Sequence, residues 1–230
     1  MILEARAVTK SYGPNPAVRG VSFAVEPGEI VAITGPSGCG KSTLLHCLAA
    51  ILRSDGGDVL YRGEPINDWS EARRSTLRRT EFGVLFQFGQ LVAELSAVEN
   101  VALPLLLGGI RRREATTAAA DWLARLGVGE LAGSRPGEMS GGQQQRMALA
   151  RALVTEPRVL FADEPTGALD TLAGERVLGH MVQAARQQRT TVLLVTHDPV
   201  VAAYADREVV LRDGLVDSDS AGLTGTAVPR

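Results

Sequence analysis

The sequence predicts an α/β fold built around a phosphate-binding loop, with a β-rich edge before the loop and a helical insert after it. Three observations carry this. A short apolar run, VAITG at 31–35, leads directly into the glycine-rich GPSGCGKS at 35–42 and then into apolar residues at helical spacing. From about 71 to 135 the character is helical, and beyond it apolar runs of strand length alternate with helical patterns. The composition agrees: 230 residues, 45% hydrophobic and 22% charged, suit one well-buried domain and exclude a disordered or fibrous chain.

Taken in order, ILEARAVTKSY, VSFAVEPGEI and VAITG are short β-type runs separated by turn residues, a β-rich edge feeding a central strand. KSTLLHCLAAIL reads as the helix after the loop, and RSDGGDVLYRGEPI as a turn and short hairpin. The Ala-rich REATTAAADWLARLG is helical and is stopped by Gly127 and Gly129. Then follow a helix in SGGQQQRMALARAL, a buried strand VLFAD, a helix TLAGERVLGHMVQAARQQ, a strand TVLLVTH and a final strand EVVLRDG. The small, polar DSDSAGLTGTAVPR is expected to form a mobile tail.

The formal charge of −2 gives no general attraction to nucleic acid, and no nucleic-acid partner is expected. Cys39 and Cys47 are eight residues apart on or near one helix, roughly 12 Å at about 1.5 Å per residue, too far for a disulfide. Buried or loop thiols in a reducing cytoplasm are expected instead, with a reactive thiol at Cys39 as the alternative. MILEARAVTK lacks a basic segment followed by an apolar run, so no secretory signal is expected. The longest apolar stretch, ENVALPLLLGGI, is interrupted by Pro104 and Gly108 and falls short of the roughly 20 residues a span requires. Any membrane role must come through a partner.

In GPSGCGKS, glycines let the backbone wrap a phosphate, and the helix N-terminus adds N–H donors and a positive dipole. Lys41 is placed to hold β- and γ-phosphates and the Ser42 hydroxyl to ligate Mg²⁺. VLFADE ends a buried strand with Asp163, a candidate Mg²⁺ ligand, and Glu164, a candidate for polarising an attacking water. In SGGQQQR, Ser140 and two glycines open a helix, either as a second anion site or as a simple N-cap. The three histidines, His46, His180 and His197, are not spaced as a metal site.

Met139-Ser-Gly-Gly-Gln followed by VLFADEP resembles the ATP-binding cassette (ABC) superfamily, with Met139 standing where that motif usually begins with Leu. The resemblance runs from Tyr12 to Gly214. It implies a P-loop NTPase (RecA-like) core with an N-terminal antiparallel β subdomain over 1–88 and 136–214, a helical subdomain over about 89–135 and a tail over 215–230. It implies that ATP is held by Tyr12, stacking on adenine, and by Gly35, Pro36, Ser37, Gly38, Cys39, Gly40, Lys41, Ser42 and Thr43. Gln87, in LFQFGQ, would sense Mg²⁺ and the attacking water, with Ser42 and Asp163 as further Mg²⁺ positions. Glu164 and His197 would act on the γ-phosphate chemistry. Ser140, Gly141, Gly142 and Gln143 would meet the ATP of a second copy, and Asp170 in GALD would cross that homodimer interface. Taken by themselves, Tyr12 reads as a strand-edge packing residue, Gln87 as a polar residue after a strand and Asp170 as a helix N-cap.

FGVLFQFGQLVAELSAVENVALPLLL, RPGEMSGGQQQR and ADEPTGALD are similar to the macrolide-exporter and lipoprotein-release type, MacB/LolD/FtsE-like. This implies a transport-coupled, translocase-type ATPase at the cytoplasmic face of a bacterial membrane, powering a separate integral permease of the FtsX/MacB type. Val92-Ala93 replace a frequent Leu-Pro, and Ala168 replaces a usual Asn. The alternative is a soluble ABC ATPase such as an iron–sulfur assembly factor.

Overall fold

The computed structural model describes residues 1–220. The elements are β1 (Leu3–Tyr12), β2 (Asn15–Val25), β3 (Ile30–Thr34), α1 (Lys41–Leu48), β4 (Gly56–Tyr61), β5 (Glu64–Pro65), α2 (Glu71–Thr80), β6 (Phe82–Leu85), α3 (Ala97–Leu107) and α4 (Arg112–Arg125). They continue with α5 (Gly141–Leu153), β7 (Val159–Asp163), α6 (Thr171–Gln188), β8 (Thr191–Val195), α7 (Pro199–Ala202), β9 (Arg207–Arg212) and β10 (Leu215–Asp219). The described residues form two compact units, one of Met1–Arg74 with the described residues from Thr191 on and one of Ser75–Thr190.

In the first unit, β2-β1-β4-β5 form an antiparallel sheet, and β3 lies between β8 and β9, parallel to both. Ile30, Val31, Ala32 and Ile33 are fully buried, as are Val192 to Val195 in β8. Apolar side chains on both faces of a parallel strand need cover on both faces, which is why these strands read as continuous apolar runs. Arg207 anchors the start of β9: its guanidinium donates to a Glu29 carboxylate oxygen at 2.9 Å and to the Ala24 carbonyl at 2.7 Å.

In the second unit, β6 pairs in parallel with β7, and Phe82 meets Phe161 edge-on with ring centroids 5.0 Å apart. α5 packs on β6, α3, α4 and α6. Its Met147, Leu149, Ala150 and Leu153 are fully buried. Gly83 permits this contact, because a Cβ there would sit 2.3 Å from the Ala152 carbonyl oxygen.

Two expectations are corrected. The stretch from 71 to 135 is not helical throughout, because Phe82–Leu85 forms β6 and hydrogen-bonds along β7. The tail does not start at 215: Leu215–Asp219 pairs antiparallel with β9 through a two-residue Asp213-Gly214 turn, both residues at positive φ, as type I′ hairpins require. Residues 221–230 of that expected tail lie outside the described residues. Among the described residues no helix is long and apolar enough to cross a membrane.

Candidate functional site

In the first unit, β3 runs out at Thr34 into the loop and α1 begins at Lys41. Two glycines make the loop's tight course possible. Gly35 (φ +138°) and Gly40 (φ +102°) hold conformations that side chains disfavour, and a Cβ on either would fall 2.0 Å from a backbone oxygen, that of Leu211 or Ala17. The loop closes on its own lysine. Lys41 Nζ is buried and donates to the carbonyls of Gly35 at 2.8 Å and Pro36 at 2.9 Å, with Cys39 Sγ at 3.9 Å. Pro36, Ser37, Gly38 and Ser42 stand exposed on the rim, Thr43 is half-buried, and Cys39 is buried as a free thiol. Cys39 is tied at both ends, its N–H to Pro36 O at 3.3 Å and its carbonyl accepting from Gly214 N at 3.1 Å.

This cradle fits a phosphate. It concentrates an ammonium and a helix N-terminus, and α1 starts with Gly40, which has no side chain to cap it, and without an acidic residue in its first turn. Tyr12 ends β1 with its residue 53% exposed, so its ring is available to a ligand and is not consumed in packing. His197 is exposed just past β8. Its neighbours fix the backbone there: Thr196 N donates to Ile33 O at 3.1 Å, and Asp198 caps α7 by accepting from Val200 N at 2.8 Å.

In the second unit, Asp163 closes β7 and Glu164 follows with φ +46°, a left-handed conformation costing a non-glycine residue of order 1 kcal/mol. Gly167 N donates back to Glu164 O at 3.0 Å. A Cβ on Gly167 would lie 2.9 Å from Gln87 Nε2 and 3.5 Å from Glu164 Cβ, so Gln87, Glu164 and the turn before Asp170 converge. Each unit offers an oxygen donor of the type that suits a hard cation like Mg²⁺, the Ser42 hydroxyl in the first and the Asp163 carboxylate in the second.

Ser140 and Asp170 are both N-caps. Ser140 Oγ accepts from Gln143 N at 3.4 Å while Gln143 Oε1 accepts from Ser140 N at 2.8 Å, a reciprocal capping box at the start of α5. Asp170 Oδ1 accepts from Ala173 N at 2.9 Å at the start of α6. Both residues line one cavity of about 240 Å³ with Gly142, Arg146 and Arg176. The motif glycines also serve packing, since a Cβ on Gly142 would lie 3.0 Å from Ala173 Cβ. Met139 is buried, the position at which an apolar side chain of leucine's size is expected.

Three supporting residues escaped the sequence reading. Gln145 Nε2 donates to Phe86 O at 3.0 Å, and Arg151 donates to Gly89 O at 2.6 Å and Gln90 O at 2.9 Å, together fixing the backbone on both sides of Gln87. Fully buried Asn100 accepts from Val92 N and donates to the carbonyls of Val92, Leu95 and Ser96, shaping the following loop. The QQQR run held the signal for the first, because Gln145 lies on the buried face of α5.

The family described as ABC transporter matches residues 18–167. The lipoprotein-releasing system ATP-binding protein LolD of Porphyromonas gingivalis is 41% identical over 219 residues, covering 95% of this chain and all of that one. The macrolide export ATP-binding/permease protein MacB of Hyphomonas neptunium is 43% identical over 223 residues, covering 95% of this chain and 34% of that one. Among solved structures, a dimeric ATP-binding cassette in a post-hydrolysis state with ADP and Pi superposes with a TM-score of 0.88 at 35% identity, covering 94% of this chain and 97% of that one. The chain belongs to the ABC transporter family as an ATP-binding subunit, with a P-loop NTPase fold.

Proposed function

We propose that the chain hydrolyses ATP as a homodimer and thereby drives a separate integral permease of the FtsX/MacB type from the cytoplasmic face of a bacterial membrane. The observation that carries this is the closed loop around Lys41 in a chain that also presents the Ser140 capping box. Lys41 neutralises the β- and γ-phosphates, and Tyr12 offers its exposed ring to adenine. Ser42, Asp163 and Gln87 would hold Mg²⁺, which when bound offsets phosphate charge. Glu164, held in its left-handed turn against Gly167, orients and polarises the attacking water, and His197 contacts the γ-phosphate.

The α5 N-terminus, with residues 140–143, faces the nucleotide of the second copy, and Asp170 lies at that interface. Two helix N-termini then attract one γ-phosphate from opposite sides, and hydrolysis removes the charge that holds them together. The loop that carries Gln87, with Val92 and Ala93 beyond it, is the part offered to the permease. The LolD and MacB relatives support a translocase-type ATPase engaged in export, extraction of lipids or lipoproteins, or force transmission, over a soluble assembly factor. Affinity purification of the tagged chain from detergent-solubilised membranes tests this: a permease of about four membrane helices should co-purify. Recovery without any membrane protein would overturn it.

A further inference from the structure

The apolar stretch that is too short to span a membrane has a second feature in three dimensions. At the end of α3, Leu103, Pro104, Leu105 and Leu106 are half-buried and Leu107 is 66% exposed, so none of five consecutive apolar residues is buried. Five residues at about 100° each go right round a helix, and while Pro104 lines a groove with Phe82 and Ala152, Leu107 is left exposed. Here the helix ends in a Schellman cap: Gly109 (φ +85°) donates to Leu106 O at 3.0 Å and Ile110 N donates to Leu105 O at 3.0 Å. The cap folds Ile110, 43% exposed, back beside the same turn.

Arg111, Arg112 and Arg113 follow, all exposed. Glu99 receives Arg112 at 3.2 Å, an exposed pair that is weak in water, and Glu114 comes next in sequence. The tip from 107 to 114 therefore keeps a net positive charge beside an apolar knob of Leu107 and Ile110. An exposed apolar pair flanked by cations suits the boundary of an anionic bilayer, where apolar side chains enter the acyl region and arginines meet the phosphates.

We propose that the α3–α4 tip inserts its apolar knob shallowly into an anionic lipid surface, with Arg111, Arg112 and Arg113 at the phosphate level. This extends the membrane-peripheral placement proposed above, but its flotation measurement needs neither nucleotide nor permease, so its failure leaves the ATPase reading standing. The full chain is floated with vesicles of phosphatidylglycerol and phosphatidylcholine, or of phosphatidylcholine alone. Two variants are compared with it, Leu107→Ser/Ile110→Ser and Arg111→Gln/Arg112→Gln/Arg113→Gln, their folding checked by circular dichroism. The unchanged chain should float with anionic vesicles only, and each variant should lose roughly tenfold or more in partition coefficient. The proposal is overturned by absence of flotation, by variants that float as well as the parent, or by variants that keep vesicle binding and lose only permease co-purification. That last outcome would make the tip a protein-docking surface.

Discussion

Replacing Gly40 by alanine probes the geometry that shapes the phosphate loop, and Gly38→Ala is its control. Both glycines lie in the left-handed region, at φ +102° and +79°, so a Cβ on either costs about 1–2 kcal/mol of backbone strain. They differ in what the Cβ meets. At Gly38 nothing lies within 4 Å, while at Gly40 the Ala17 carbonyl oxygen is 2.0 Å away and Val18 Cγ2 is 3.7 Å away. A carbon–oxygen contact relaxes at about 3.3 Å, so the loop or β2 must give by roughly 1 Å, and overpacking of that kind adds ~1–3 kcal/mol. Urea denaturation should therefore separate the variants, with Gly40→Ala destabilised by ~2–5 kcal/mol and Gly38→Ala by ~1–2. Because Lys41 follows directly and Gly40 O accepts the Leu44 N–H that starts α1, the same displacement should weaken ATP binding by about tenfold or more, as read by fluorescence titration. If Gly40→Ala unfolds within ~0.5 kcal/mol of Gly38→Ala, close packing against Ala17 does not shape the loop.

Four further outcomes follow from the same structure. Lys41→Ala should weaken ATP binding by roughly 10- to 100-fold, the worth of a hydrogen bond to a charged group, as measured by calorimetry. Gly83→Ala should cost at least ~1–3 kcal/mol in denaturation experiments, because its Cβ would press on Ala152 O at 2.3 Å. Burial pushes the Cys47 thiol up to about 11, so iodoacetamide at pH 8 should leave it unmodified until urea is added, as peptide mapping will report. Since that folded value lies above the ordinary 9.0, stability present below pH 9 should decline as pH rises towards 11.

What the sequence could reveal depended on how local the determining forces are. VLFAD is a strand over Val159–Asp163 because an apolar run buried on both faces and closed by charge is legible at that length. The helix over Thr171–Gln188 was legible for a similar reason, its apolar period ending with polar residues. β6 has only four residues, too few for periodicity to distinguish strand from helix, and its identity is set by pairing with β7. β10 was missed although Asp213-Gly214 is a strong hairpin signal, because the small polar residues beyond it dominated the reading. At the site, residue types and spacing singled out the phosphate loop, Ser140, Asp163 and Glu164, whereas Tyr12, Gln87, Asp170 and His197 stood out only through the family resemblance. The left-handed backbone of Glu164, the contact of Gln87 with Gly167 and the buried amide of Asn100 depend on distant packing, which no local pattern carries. Ser140 and Asp170 show why two readings coexisted, since each is an N-cap and also lines the cavity at the α5 and α6 N-termini.

The central claim is that Glu164 drives hydrolysis in a dimer clamped by ATP. Its most direct test is Glu164→Gln, assayed for turnover with the permease reconstituted and for mass by light scattering in ATP and in ADP. Turnover should fall by about 100-fold or more, and a particle of twice the chain's mass should form in ATP and separate in ADP. Near-normal hydrolysis by the variant, or a monomer in saturating ATP, would contradict it.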